Sequence, residues 1–459
     1  MKPYIHLFET ILGKYVYDVN TECIIKTSDQ EYREIENYLS NDIKTEYIDR
    51  LINKGYLSNK RVLITEHPAT KRLENLYENK LNYLILQLTQ NCNMRCKYCV
   101  YSGAYNMRSH SNKRMSWAVA KKSIDYFLTH SIDNERIYIG FYGGEPLLEL
   151  ELLKKCVEYI KNNTQEKEVI FNITTNGALL DLEAGRFLYE NKFMVTLSFD
   201  GPEYIQNRSR RFANDEGTYA VVYNHILMLK NNYPDYFKEN ISVNAVVTTK
   251  DSFDDIEQFF TASIFKEVPV ETTFVSNEYR KEKIHYSQDI VEKVRYLEFL
   301  EFLHIMGEME YSSILMKDRY SKMLTFRQEK QIYNCTRKNI PERFHHGGPC
   351  IPGVRKLFVN VDGNFYPCEK ICELSDEYLI GSIHNGIDLN KGISILNIEK
   401  QMEDKCHNCW AYDMCDICAM TYFESRSGGT TDELCLRTRL RAEELLKDYC
   451  VYKELMARK

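Results

Sequence analysis

The sequence predicts an α/β fold: a parallel sheet curled into a partial (β/α)6, TIM-like barrel, with a winged-helix-like unit before it and a cysteine-rich region after it. Three observations carry that expectation. Apolar runs of strand length recur six times between residues 83 and 275, with helical stretches between them. A hairpin pattern followed by two short amphipathic patterns fills residues 1–75. Most of the 15 cysteines crowd into the last third of the 459-residue chain.

A chain this long exceeds one ordinary core, so several units are expected. In residues 1–75, Tyr15–Asp18 and Cys23–Lys26 flank Asn20-Thr21 as a hairpin. The patterns Tyr32/Ile35/Leu39 and Ile48/Leu51/Ile52 read as two helices, the second closing at Gly55. That content is winged-helix-like and carries no catalytic signature, so it reads as a binding module. Residues 80–280 hold the predicted strands Tyr83–Leu88, Ile137–Tyr142, Val169–Thr174, Met194–Phe199, Ile241–Val247 and Glu271–Val275. Trp117, Ala120, Ile124, Phe127 and Leu128 recur at helical spacing between the first two. Residues 281–334 read as a helical bridge, 335–440 as a turn-rich cysteine field, and 441–459 as a C-terminal helix whose amphipathic pattern runs over about 433–457. Function is expected at the carboxyl ends of the barrel strands.

With 44% hydrophobic and 27% charged residues, the composition is that of a globular chain. A net charge of -6 offers no basic field, so no nucleic-acid partner is expected. No apolar stretch is long enough to span a bilayer and the N-terminus lacks a signal pattern, so the expectation is a cytoplasmic protein with no membrane partner. Clustered cysteines in a reducing compartment read as metal ligands or catalytic thiols. Cys23 and Cys156 stand alone and read as buried inert thiols.

Just beyond the first strand lie Cys92, Cys96 and Cys99 in a CxxxCxxC loop. Three thiolates within eight residues can wrap a [4Fe–4S] cube and leave one iron open to a small molecule. A zinc site with a distant fourth ligand is the alternative, and Arg95 and Lys97 suit an anionic cluster better. Further along, Gly143-Gly144-Glu145-Pro146 follows the second strand, Thr174-Thr175-Asn176-Gly177 ends the third, and Ser198-Phe199-Asp200-Gly201 ends the fourth. Singly, such residues make turns and caps. In order after successive strands, they supply the acid, base and close backbone approach that a ligand with an ammonium and a carboxylate needs.

The loop Cys92-Asn-Met-Arg-Cys96-Lys-Tyr98-Cys99 resembles the signature of the radical S-adenosylmethionine superfamily, and the strand-end motifs follow that family's order. The resemblance implies a [4Fe–4S] cluster on Cys92, Cys96 and Cys99 that reductively cleaves S-adenosylmethionine to methionine and a 5′-deoxyadenosyl radical. It places Tyr98 beside the adenine, Gly143, Gly144, Glu145 and Pro146 at the amino group, and Thr175, Asn176 and Asp200 around the cofactor. Ser198 falls on the ribose and Arg208 near the methionine carboxylate. An external one-electron donor such as flavodoxin or ferredoxin is implied as a partner.

The C-terminal field runs Cys350, Gly363, Cys368, then Cys406-x2-Cys409-x5-Cys415-x2-Cys418, then Cys435. Spacing alone leaves structural zinc and iron–sulfur clusters both open. The pattern resembles the SPASM domain, with two residues between Cys415 and Cys418 where the family usually has three. That resemblance implies two auxiliary [4Fe–4S] clusters, one on Cys350, Cys368 and Cys418, the other on Cys406, Cys409, Cys415 and Cys435. Cys335 or Cys372 would complete the first, or its fourth position would stay open to a substrate thiolate. Cys450 reads as a packed thiol.

SPASM enzymes commonly modify peptides, and residues 1–75 resemble the leader-recognition module fused to many of them. The local text around Cys99, Cys350 and Cys406–Trp410 resembles maturases of cysteine-rich ribosomal peptides (the thioether-forming sactipeptide and ranthipeptide type). The expectation is therefore a maturase that installs thioether links in a ribosomally made, cysteine-containing precursor peptide, with Glu369 as a catalytic base. Side-chain oxidation, as in sulfatase-maturing relatives, and carbon–carbon crosslinking are the alternatives within this chemistry. A zinc-rich peptide-binding adaptor is the alternative from another class.

Overall fold

The computed structural model describes residues 2–164, 166–310, 340–346, 350–428 and 430–458. Strands β1 (Ile5–Thr10), β2 (Gly13–Asp18) and β3 (Cys23–Thr27) form an antiparallel sheet in that order. Helices α1 (Asp29–Asn41) and α2 (Glu46–Asn53) cover it. Ser28 and Glu31 form a reciprocal capping box that starts α1 by satisfying its first free N–H groups. Val16, Ile35, Ile48, Leu51 and Leu57 make a small separate core for this unit. The expected hairpin is β2–β3, and β1 is an additional strand. Cys23 is buried, its sulfur 3.5 Å from the Thr21 carbonyl oxygen.

After the short strand β4 (Ile64–Thr65) and α3 (Leu73–Asn79), six parallel strands form the barrel wall. They are β5 (Tyr83–Thr89), β6 (Arg136–Gly143), β7 (Glu168–Thr175), β8 (Met194–Ser198), β9 (Ile241–Val247) and β10 (Val270–Phe274), adjacent in chain order. Each lies within two residues of its predicted span. Helices including α4 (Trp117–Thr129) and α5 (Leu150–Asn163) cross over between them, as parallel pairing requires.

The sheet does not end at β5. After β11 (Arg343–Phe344), which pairs with β4, strand β12 (Leu357–Val359) lies parallel to β5. Strands β13 (Asn364–Tyr366), β14 (Gly381–Ser382) and β15 (Gly386–Ile387) then extend the sheet antiparallel, to ten strands in all. The cysteine-rich region is thus continuous with the barrel sheet. Burial of β5 on both faces, six of its seven residues, follows from this central place.

The C-terminal helix runs unbroken over Thr431–Met456, so the expected division at residue 440 falls inside a helix, and Cys435 sits in its first turns. It packs on the N-terminal sheet, with Lys26 paired to Glu454 at 2.6 Å and His6 to Glu443 at 3.1 Å. Of the expected bridge at 281–334, helix Gln288–Ile305 is present, while residues 311–334 lie outside the described residues. No helix among the described residues is long and apolar enough to cross a membrane.

Candidate functional site

A cleft at the carboxyl ends of the barrel strands is lined by Cys92, Cys96 and Cys99 together with Gly143, Gly144, Glu145, Thr175, Asn176 and Ser198. Arg210, His110, Tyr101 and Tyr142 complete its walls. The cysteines face one space because the loop is pinned on both sides. Arg95 N–H donates to the Arg211 carbonyl at 2.7 Å, Lys97 N–H to Ser209 at 3.0 Å, and Ala213 N–H to Asn93 at 3.1 Å, so residues 209–213 run along the loop. On the opposite side, the Asn176 amide donates to Asn93 Oδ1 at 2.8 Å and lies 3.6 Å from Cys92 Sγ.

The two glycines of the second motif are explained by neighbouring backbone. A Cβ on Gly143 would stand 2.3 Å from the Thr89 carbonyl oxygen, and one on Gly144 would stand 2.0 Å from that of Asn91. Only glycine lets this segment lie against the end of β5, where Gly144 N–H donates to Thr89 and Glu145 N–H to Asn91, both at 2.9 Å. Glu145 follows, fully buried, its carboxylate accepting from Leu147 N–H at 3.0 Å, the Thr175 hydroxyl at 2.7 Å and Asn176 N–H at 2.8 Å. Burial pushes its pKa up to about 7 despite those three bonds. Glu145 therefore joins the second and third strand ends beneath the cysteine loop. Pro146 is buried behind it, at the start of a 3-10 turn.

Arg208, expected near the methionine carboxylate, lies outside this cleft. It is half-buried, pairs with Asp251, and lines a neighbouring hollow with Lys97, Tyr98 and Thr248. The cleft's basic residue is Arg210, whose Nε lies 3.0 Å from Asp200 Oδ2 and whose guanidinium stands 5.3 Å from the centre of the Tyr98 ring. The physical reason is a change of backbone: Arg208 is still on the helix Glu203–Ser209, whereas Arg210 is extended and runs beside the cysteine loop. Asp200 and Tyr98 stand behind the cleft wall. The Tyr98 hydroxyl donates to Asp200, which also accepts Val246 N–H at 2.9 Å.

His110, Tyr101 and Tyr142 were not anticipated from the sequence. His110 stacks against Tyr101 with ring centres 5.5 Å apart. Burial, then Arg95, lowers its pKa, which favours the neutral ring. Burial raises the pKa of Tyr142, which lies in the electrostatic reach of both Cys99 and Glu369. It thus spans the distance between the cleft and the auxiliary region. Glu369 itself is held by Lys356 at 2.8 Å, with its other carboxylate oxygen buried.

In the cysteine field, Cys406, Cys409, Cys415 and Cys435 interact electrostatically as one group, and burial raises the Cys415 thiol to about 12. Cys368 and Cys418 form a second group, with Cys368 raised to about 11 by burial first and Glu369 next. Cys350 is exposed, its sulfur 3.9 Å from Arg355. Cys372 faces elsewhere: its buried thiol donates to the Asn106 carbonyl at 3.2 Å. Cys335 lies outside the described residues. Cys156 and Cys450 are buried free thiols.

The donor set fits an iron–sulfur cube in the cleft. Three sulfurs on one loop supply three of four iron ligands, and the fourth corner faces polar groups suited to a small zwitterion.

Comparison with known proteins agrees with this geometry. The family model of the Radical SAM superfamily matches residues 86–262. A cysteine-type anaerobic sulfatase-maturating enzyme of Clostridium novyi (strain NT) is 24% identical over 372 residues, 77% of this chain and 92% of its own length. The radical SAM cyclopropyl synthase TigE of Paramaledivibacter caminithermalis is 29% identical over 241 residues, 49% of this chain and 47% of its own. Among solved structures, native anSMEcpe with bound AdoMet superposes with a TM-score of 0.59 at 21% identity, covering 82% of this chain and 98% of its own, a likeness of fold.

Proposed function

Starting from a radical S-adenosylmethionine enzyme, whose characteristic domain spans residues 86–262, we propose a maturase that links a cysteine sulfur to a carbon of a docked peptide. Its cofactors are S-adenosylmethionine and a [4Fe–4S] cluster. The observation that carries the reading is how the N-terminal unit sits on the auxiliary loop. His6 stacks on Trp410 with ring centres 3.7 Å apart, and the Tyr4 hydroxyl donates to the Cys409 carbonyl at 2.8 Å. Arg61 Nε reaches Asn408 at 3.3 Å. In that sheet β3 is an edge, so an extended leader peptide can add as a further strand.

When bound, the reduced cluster and S-adenosylmethionine supply hydrogen-atom abstraction. The chain's own residues do the rest. Cys92, Cys96 and Cys99 hold the cluster, and Arg210 meets the cofactor carboxylate. Backbone groups of Gly143, Gly144 and Glu145 meet its ammonium, and Ser198 meets the ribose. His110, Tyr101 and Tyr142 shape the wall against which the peptide lies and exclude water from it. Glu369, beside Cys368 and near Tyr142, takes the proton of the peptide thiol. Cys368, Cys418 and Cys350 would hold the first auxiliary cluster and Cys406, Cys409, Cys415 and Cys435 the second, which would supply an acceptor for one electron.

A second reading, oxidation of a cysteine side chain without a link, is favoured by the likeness to sulfatase-maturating enzymes across nearly their whole length. Co-expression with a short cysteine-rich peptide encoded beside this gene, followed by mass spectrometry, separates the two. A thioether removes two hydrogens per link and protects one cysteine from alkylation, whereas oxidation to an aldehyde removes the sulfur itself. An unchanged peptide, with an enzyme that still cleaves S-adenosylmethionine, overturns the peptide assignment.

A further inference from the structure

Away from the cleft and from every cysteine group, His345, His346 and Glu399 bring one ligand atom each to within 4.8 Å of one another, all three buried. The two histidines directly follow β11, and Glu399 lies on the 3-10 turn Ile398–Met402. His345 Nδ1 lies 2.8 Å from the His346 carbonyl oxygen. A carbonyl only accepts, so Nδ1 carries the proton and Nε2 presents a lone pair. That Nε2 has no hydrogen-bond partner among the described residues and stands 3.8 Å from Glu399 Oε2. Oε2 is already an acceptor, held by His346 N–H at 2.9 Å. The imidazole Nε2 and the carboxylate thus face each other in a buried interior, where burial pushes the Glu399 pKa up to about 7, and either a retained proton or a cation must join them.

We infer that His345, His346 and Glu399 form a binding site for one divalent transition ion of the zinc class, separate from the iron–sulfur sites. Two imidazoles and a carboxylate are a borderline donor set that suits zinc. Zinc–ligand bonds of about 2.0–2.1 Å put neighbouring tetrahedral donors about 3.3 Å apart. The three side chains therefore need only modest inward shifts. The His345 Nδ1–H bond to a backbone carbonyl is the outer contact that fixes a metal-binding imidazole in its tautomer. His67, whose ring centre is 5.4 Å from that of His345, is not a further donor, because its Nδ1 accepts Ala69 N–H at 3.0 Å.

The ion would be a structural tie. It joins the segment leading into Cys350 to the turn leading into Cys406, beside Cys415, whose backbone bonds the His346 ring. Through the β4–β11 pairing it also holds the linker from the N-terminal unit.

The test is elemental analysis of the anaerobically prepared full-length holoenzyme, expressed with zinc in the medium, together with zinc K-edge X-ray absorption. The expected result is one zinc per chain beyond the iron, with a first shell of nitrogen and oxygen only. His345→Ala and Glu399→Gln each release that zinc and leave the iron content unchanged. Absence of stoichiometric zinc, a sulfur-containing shell, or zinc retained by both variants overturns the inference. If the variants do not fold, the absorption spectrum of the unaltered enzyme decides alone.

Discussion

Replacing Arg210 by Met separates two jobs that one buried guanidinium performs. Arg210 and Asp200 are 7% and 1% exposed and 3.0 Å apart, so their pairing is little screened. Removing the guanidinium leaves the Asp200 carboxylate with the Tyr98 hydroxyl and Val246 N–H alone. Stranding one partner of a buried pair costs about 3–5 kcal/mol. A second change, Asp200→Asn, removes the stranded charge and should restore most of that loss. Cofactor binding should not recover with it. A charge-assisted contact to the methionine carboxylate is worth about 1.5–3 kcal/mol, so S-adenosylmethionine should bind roughly 10- to 150-fold more weakly in both the single and double variants. Arg208→Met, which unpairs Asp251 in the neighbouring hollow, should destabilise the fold yet leave cofactor affinity near that of the unaltered enzyme. Anaerobic urea denaturation reads the first quantity, and equilibrium dialysis of reconstituted enzyme the second. Full affinity in the double variant, or a larger loss from Arg208→Met than from Arg210→Met, would refute the assignment of Arg210.

Three further outcomes follow from the same contacts. Glu145 has a folded-state pKa of about 7 against an ordinary value of 4.5, so the folded state holds the extra proton between them. Its contribution is fully present below about pH 4.5 and lost as pH rises through 7, about 3 kcal/mol at most, and Glu145→Gln should flatten the urea midpoint of the cluster-free protein across that window. His6→Ala removes the stack on Trp410, worth about 0.5–1.5 kcal/mol, and should speed proteolysis between the N-terminal unit and the barrel while iron content stays constant. Cys406→Ala with Cys409→Ala should lower iron from roughly twelve atoms per chain to about eight and spare cleavage of S-adenosylmethionine.

The barrel strands were legible because short, largely apolar stretches of strand length recur between helical patterns, some buried almost throughout, as in Tyr83–Thr89, and others alternating in burial, as in Ile241–Val247. Ile241–Val247 has the same limits in sequence and structure. The strands β12 to β15 were not legible, because segments of two or three residues carry no periodicity. Their pairing beside β5 depends on contacts across the whole length of the barrel. In the cleft, Glu145 and the cysteines announce themselves by residue type and spacing. The choice of Arg210 over Arg208 rests on where a short helix stops, at Ser209, and on pairing of the next residues with the cysteine loop. Helix ends are among the least certain readings of any sequence. His110 and Tyr142 reach the cleft from separate segments, and nothing in their neighbours marks them. The His345–His346 pair was visible as text, but its partner Glu399 lies 53 residues further on and is found only in three dimensions.

The claim on which everything else depends is that Cys92, Cys96 and Cys99 hold the cluster that cleaves S-adenosylmethionine. Anaerobically reconstituted enzyme, given S-adenosylmethionine and dithionite, should release 5′-deoxyadenosine and methionine, and the triple change of those cysteines to Ala should abolish both while retaining the auxiliary iron. Release of 5′-deoxyadenosine by the triple variant, or none from the unaltered enzyme with its full iron content, would contradict the account.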